Sequence, residues 1–326
     1  MAAPPRVMPN LAAEQEQHHL SYIYQGGEQQ QRPIIDLPLT ATHISVDAST
    51  KVISARAFFR HPHIIELICH NGVELIEEEA FAACPRLRRV VLLGVTIIKD
   101  YAFYDSKALI YVECPKLEQI GASAFRYCSK LSCIDLPSVK GVDREAFNGC
   151  RVLRYVKFGY HLERLSSTVF ARCRSLERVT IPLKRGIITA DDIFIGCANL
   201  KHMDLVEGEL LEDIVAALQM EEWRKDMEQE INAIGQVLPN AHVGDIYTRD
   251  EGGKARAIRE WTARVLNKLV CYKEEHYNLL KEAALILFCV LPNDIVTNKV
   301  ISFLELQSQH AVLFEGGNEE RMGTTR

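Results

Sequence analysis

The chain has 326 residues, 48% hydrophobic and 25% charged, and a net charge of −5 from 38 basic and 43 acidic side chains. Those proportions belong to a folded chain with a sizeable core and exclude wholesale disorder. The slightly acidic balance argues against non-specific binding to nucleic acid or an anionic membrane; no stretch approaches the roughly 18 apolar residues of a membrane span, and the first thirty residues hold no signal-peptide core.

Residues 1–33 are rich in Pro, Gln and Gly with little periodicity and are expected to form a disordered tail. A repeat domain is expected over 34–208. It opens with Thr42-His43-Ile44-Ser45-Val46, a half-repeat in which Ile44 and Val46 cover the first coil.

The repeat itself is registered by Ala-Phe pairs ending at Phe58, Phe81, Phe103, Phe125 and Phe147, with relaxed copies at Phe170 and Phe194. Three positions after each Phe come His61, Cys84, Ser106, Cys128, Cys150, Cys173 and Cys197; six after, Ile or Leu; nine and eleven after, an apolar residue or Cys. Five before stands Ile, Val or Leu in the first six copies. A unit this short cannot bury its own apolar face, so about seven coils of 22–24 residues must stack into a solenoid. The Leu-x-x-Val-x-Leu end of each unit has period two and predicts strands at 65–69, 88–92, 110–114, 132–136, 154–158, 177–181 and 201–205. The Ala-Phe-x-x-Cys stretch has helical spacing and predicts a short helix opposite. The fold class is therefore α/β: a solenoid of parallel strands followed by helices.

The pattern Ile-x-x-x-Ala-Phe-x-x-Cys-x-x-Leu-x-x-Val-x-Leu-Pro resembles the Treponema-type, or BspA-like, leucine-rich repeat over about residues 42–206. The stretch Thr42–Phe58 and the segment around Gln219–Asp226 resemble chains of an algal subfamily abundant in diatoms. The resemblance implies a protein-interaction repeat with no established activity. His61 in place of a small residue, and an extra residue near Thr189-Ala190, depart from the pattern.

Beyond residue 208 the repeat stops and helical spacing takes over. Leu211, Ile214, Val215 and Leu218 are expected to seat on the last coil. A long helix over 255–291 is expected to pack on the first, burying Trp261 and Leu269. The helical region is placed at 209–306 and a disordered tail at 307–326. Leu291-Pro292-Asn293-Asp294-Ile295 through Phe303-Leu304 resembles the opening of an F-box, which would make the chain a ubiquitin-ligase adaptor; a plain helix cap at Asn293 or Asp294 explains the same residues.

The ten cysteines contain no Cys-x-x-Cys pair, and their 22–24-residue spacing follows the repeat, so they are read as core and not as a metal site. His61, His63, Cys69 and His70 are zinc-ligand types but are read as turn and core residues. Gly252-Gly253-Lys254 lacks the remaining residues of a phosphate loop and reads as a linker turn. No catalytic motif is present and no cofactor is implied; an enzyme would need a site of unrecognised kind. Outward positions eight and ten of the strands vary, and there Arg89, Tyr111, Glu113, Asp135, Tyr155, Lys157, Arg178, His202 and Asp204 form a candidate concave binding face. The function expected is a non-catalytic scaffold in the cytoplasm or nucleus, monomeric, holding a protein partner of unspecified identity.

Overall fold

A computed structural model of the chain describes residues 21–26, 39–206, 221–234, 238 and 253–290. Contacts divide it into two compact units: residues 1–206 with 234–262, and residues 207–233 with 263–326. The F-box-like segment, the Leu211–Leu218 stripe and both chain ends fall outside the described residues.

In the first unit β1 (Ser21–Tyr24) and β2 (His43–Val46) precede β3 (Val52–Ile53), β4 (Glu66–Cys69), β5 (Leu75–Ile76), β6 (Arg89–Leu92), β7 (Ile97–Ile98) and β8 (Tyr111–Glu113). There follow β9 (Gln119–Ile120), β10 (Cys133–Leu136), β11 (Gly141–Val142), β12 (Tyr155–Phe158), β13 (Arg164–Leu165), β14 (Arg178–Ile181) and β15 (His202–Leu205). Long strands thus alternate with two-residue strands, all paired in parallel. The long strands make one sheet of five, β1-β2-β4-β6-β8, and one of four, β10-β12-β14-β15, while the short strands make a third, unbroken sheet. The seven expected strands are present. Leu67, Val90, Val112, Ile134, Val156, Val179 and Met203 point inward from them and are buried. This is the solenoid that the 22-residue period requires.

The core is stacked coil on coil. Phe58, Phe81, Phe103, Phe125, Phe147, Phe170 and Phe194 form one column of rings, with centroids 4.7–5.7 Å apart and planes within 11° of parallel. That spacing is the inter-strand distance of a sheet with room for slightly tilted rings.

Two expectations for the repeats and their amino end are corrected. The Ala-Phe stretch is not a helix. Its alternate amides leave the coil: Arg56, Phe58 and Arg60 donate to Glu78, Ala80 and Ala82 of the next coil, whereas Ala57, Phe59 and His61 donate three residues back. The backbone must reverse hand to aim successive amides in two directions, so the residue two after each Phe, and the residue two before each of the first six, sit in the left-handed region, as with Ala83 at φ 57° and Glu79 at φ 53°. The second correction is at the amino end. β1 lies inside the stretch expected to be disordered and adds a strand beyond the half-repeat, with Tyr24 buried against Phe58 at 5.3 Å.

Each small residue three after the Phe is a hydrogen-bond donor as well as core. Cys84, Cys128, Cys150, Cys173 and Cys197 direct their thiols at the carbonyls of Phe58, Phe103, Phe125, Phe147 and Phe170, at 2.9–3.2 Å. Ser106 does the same to Phe81 at 2.8 Å. Burial pushes the Cys84 and Cys150 thiols up to about 12, which keeps them protonated and able to donate.

Helix α1 (Glu221–Asn232) belongs to the second unit, and α2 (Gly253–Val290) runs through both. The linker turn expected at Gly252-Gly253-Lys254 is corrected: α2 starts at Gly253, and Lys254 is buried, with its ammonium on the carbonyls of Cys197 at 2.5 Å and Leu200 at 3.2 Å. Arg259 pairs with Asp191, and Trp261 is fully buried. Within the second unit Trp223 stacks on Tyr272 at 5.2 Å and Lys268 bridges Asp226 at 2.7 Å. Leu269 is buried as expected.

Candidate functional site on the strand face

Period-two alternation sends positions nine and eleven inward and eight and ten outward. Parallel pairing without stagger then stacks equivalent positions directly. Glu66, Arg89 and Tyr111 are successive partners in one sheet, and Cys133, Tyr155, Arg178 and His202 in the other. Position ten gives a parallel column with Glu113 in the first sheet and Asp135, Lys157, Thr180 and Asp204 in the second. All nine expected site residues therefore share one face. Tyr111 and Tyr155 are 42% and 45% exposed, large values for side chains of that size. Val91 is the exception to the outward rule, since it lies at position ten and is buried.

The face is internally wired. Arg89 holds Glu66 at 2.6 Å and lies over the Tyr111 ring at 5.6 Å, and the Tyr111 hydroxyl donates to Glu113 at 3.1 Å. Arg178 reaches both carboxylate oxygens of Asp204, at 2.8 and 2.7 Å. Glu177 receives Arg154 at 2.9 Å and the Tyr155 hydroxyl at 3.1 Å. The Arg154 hydrogen bond, aided by Tyr155 and the nearby charge of His202, holds its carboxyl below the usual carboxylate range. Asp135 and Lys157 face each other across β10 and β12, and neither of their side chains is hydrogen-bonded to another side chain among the described residues. Exposed pairs of this kind contribute little stability each. Their effect is to hold long side chains in fixed poses.

Sequence reasoning missed two members. His43 extends column eight by one coil, opposite Glu66. Glu177 stands one residue before its strand, at position seven, which strict alternation assigns to the inside. The signal was available: position seven carries Arg88, Arg154, Glu177 and Lys201 in four of the seven coils.

Among the described residues no three His, Cys, Asp or Glu side chains converge as a metal site. His61 accepts the Ile64 amide at 3.3 Å, and His70 caps Gly72 at 3.0 Å and reaches the Asp47 carbonyl at 2.8 Å, so both are used in turns and coil stacking.

The profile of the BspA-type leucine-rich repeat region, in six copies, matches residues 39–132 and 118–214, more than half the chain. The chain belongs to the BspA-type leucine-rich repeat family. Its repeats resemble solved structures at low identity. One is a leucine-rich repeat protein of T. pallidum: 21% identity, TM-score 0.40, 62% of this chain and 85% of that one. Another, from Bacteroides ovatus, has 21% identity and a TM-score of 0.29 over 51% and 61%. The pneumococcal vaccine antigen PcpA has 18% identity and a TM-score of 0.35 over 61% and 38%. No curated protein matches. In this BspA-type solenoid, no helix among the described residues is long and apolar enough to cross a membrane.

Proposed function

We propose that this BspA-type repeat protein is a non-catalytic interaction module that holds a protein partner on its strand face. The observation that carries the reading is the pair of stacked outward columns, in which exposed Tyr and Arg are held by neighbouring carboxylates. Those residue types dominate the energetics of protein interfaces, and side chains already fixed in place lose less entropy on binding. Asp135 and Lys157, unpaired between Tyr111 and Arg178, supply charge contacts that do not first have to break a bond. Buried thiols used as protonated donors support a reducing compartment such as the cytoplasm.

The test is affinity capture with the intact chain and with a Tyr155→Ala, Lys157→Glu double variant. The expected outcome is a partner recovered by the intact chain and lost by the variant at unchanged thermal stability. Recovery of the same proteins by both would sink the strand-face reading.

A further inference from the structure

The chain is net negative, yet its charge is not evenly spread over the coils. Positions four, five, seven and eight after each Phe form the edge that leads into the long strands. Across the seven coils this edge holds ten lysines and arginines against two glutamates, Glu66 and Glu177. Both glutamates are already neutralised by Arg89 and Arg154. Arg86, Lys130, Arg151, Arg174 and Lys201 are exposed, and none of the five pairs with a carboxylate among the described residues.

Coils five to seven carry five of the ten cations, Arg151, Arg154, Arg174, Arg178 and Lys201, against Glu177 alone, and there the edge is also firmly stacked. The Arg151 carbonyl accepts the Ser175 amide at 3.2 Å, the Arg174 carbonyl accepts the Asn199 side chain at 2.7 Å, and the Lys201 amide donates to Glu177 at 3.1 Å. Like-charged side chains are thus held one coil apart, about 4.8 Å, with only Glu177 between them. Such an arrangement is unfavourable alone and is relieved by an anionic ligand that runs along the solenoid.

We propose that this edge binds an acidic, extended peptide segment of a partner protein, a proposal that rests on the protein-interaction reading above. Discrete carboxylates fit it better than a continuous phosphate backbone. Arginine dominates the edge and recognises carboxylates bidentately. Asp135 and Asp204 line the adjoining strand face, where nucleotide bases would have to lie.

The full chain is titrated, by fluorescence anisotropy, into a labelled Glu/Ser peptide of about eight residues, long enough at roughly 3.4 Å per residue to span these coils. A Lys/Ser peptide and an oligo-dT of similar length are run beside it. Expected are binding of the acidic peptide alone, weakening as salt rises to about 0.15 M, and at least a tenfold loss with Arg151→Glu, Arg174→Glu. The same reversal at Lys99 and Lys116, exposed elsewhere on the solenoid, should change affinity less than twofold. Failure to bind the peptide, equal loss with both double variants, or tighter binding of oligo-dT each overturns the proposal. The peptide assay needs no natural partner. A strand-face partner captured by a chain that ignores the peptide would leave the module reading standing and remove only the edge.

Discussion

Replacement of Cys150 tests what the thiol ladder is for. Read as packing alone, a Ser there buries a hydroxyl without a partner, at a cost of roughly 1–3 kcal/mol. The structure reverses that expectation. Ser106 occupies the same rung two coils earlier, donates to the Phe81 carbonyl at 2.8 Å and accepts the Cys84 amide at 3.2 Å. Cys150 has the same surroundings: its thiol is 3.1 Å from the Phe125 carbonyl, and the Cys128 backbone donates to its sulfur. A serine hydroxyl inherits both partners, so Cys150→Ser should cost only about 0.5 kcal/mol, the small volume change remaining. Cys150→Ala deletes the donor and leaves a void. The Phe125 carbonyl keeps the Cys128 amide at 3.1 Å and is not orphaned, so the loss is packing plus one weak bond, about 1.5 kcal/mol. Cys150→Val must fit an extra methyl between coils and should cost about 2 kcal/mol. Urea unfolding followed by circular dichroism gives the order through the midpoints, provided the m-values agree. If Ser proves costlier than Ala, the rung is not a hydrogen-bond site and the ladder is packing only.

Alkali should destabilise the protein through its buried thiols, those of the ladder and those on the strands. Their folded values, near 12 for Cys69, Cys84, Cys114 and Cys150, lie above the ordinary 9.0, so the native state keeps protons that the unfolded chain releases. Stability is full below pH 9 and falls from there towards pH 12, by about 1 kcal/mol per thiol at pH 10; a flat profile by chemical denaturation from pH 8 to 10.5 would contradict it. Gly149 sits at φ 77°, and a Cβ there would lie 2.5 Å from the Tyr127 ring. Gly149→Ala should therefore cost about 1–3 kcal/mol in urea, with Tyr127→Ala in the same chain recovering the steric share. Lys254→Met should cost about 2–3 kcal/mol, because the carbonyls of Cys197 and Leu200 lose a charged donor in a buried place; a variant that melts like the parent would show that those carbonyls are satisfied by water.

The solenoid was legible because every coil repeats the same inward positions, so seven weak signals add. The strand face was legible for the same reason, as period two leaves only positions eight and ten to vary. The turn side was not. Gly149 and Gly196 both fall two residues after their Phe and mark a left-handed site, but Arg60, Ala83, Asp105, Tyr127 and Arg172 hold the equivalent conformation. Inter-coil hydrogen bonds outweigh the local strain there, and they are invisible to local propensity. β1 escaped because Tyr22 and Tyr24 make a strand only when β2 is present to pair with. Lys254 escaped because a lysine beside two glycines reads as solvent-exposed, whereas its buried position depends on coil seven, more than fifty residues away.

The interruption between β8 and β10 sets how the solenoid responds to load. On the short-strand side the coils stay bonded through that point, with the Gly121 amide on the Ile98 carbonyl at 2.7 Å, and on the turn side the Phe103 amide reaches Ala124 at 2.8 Å. On the strand side the ladder between the two long sheets is interrupted there, and the links across it come from side chains: the Cys114 thiol lies 3.9 Å from the Asp135 carbonyl, and the Ser138 hydroxyl donates to the Pro115 carbonyl at 2.7 Å. A rod whose ladder is continuous on two sides and interrupted on the third bends most easily at the interruption. Bending of the solenoid is therefore expected to concentrate between coils three and four, where hydrogen exchange of the flanking strand amides would report it. Such bending would change the distance from Tyr111 to Tyr155 and leave the pairing within each half of the strand face intact, which would make that distance the adjustable dimension of an otherwise fixed surface.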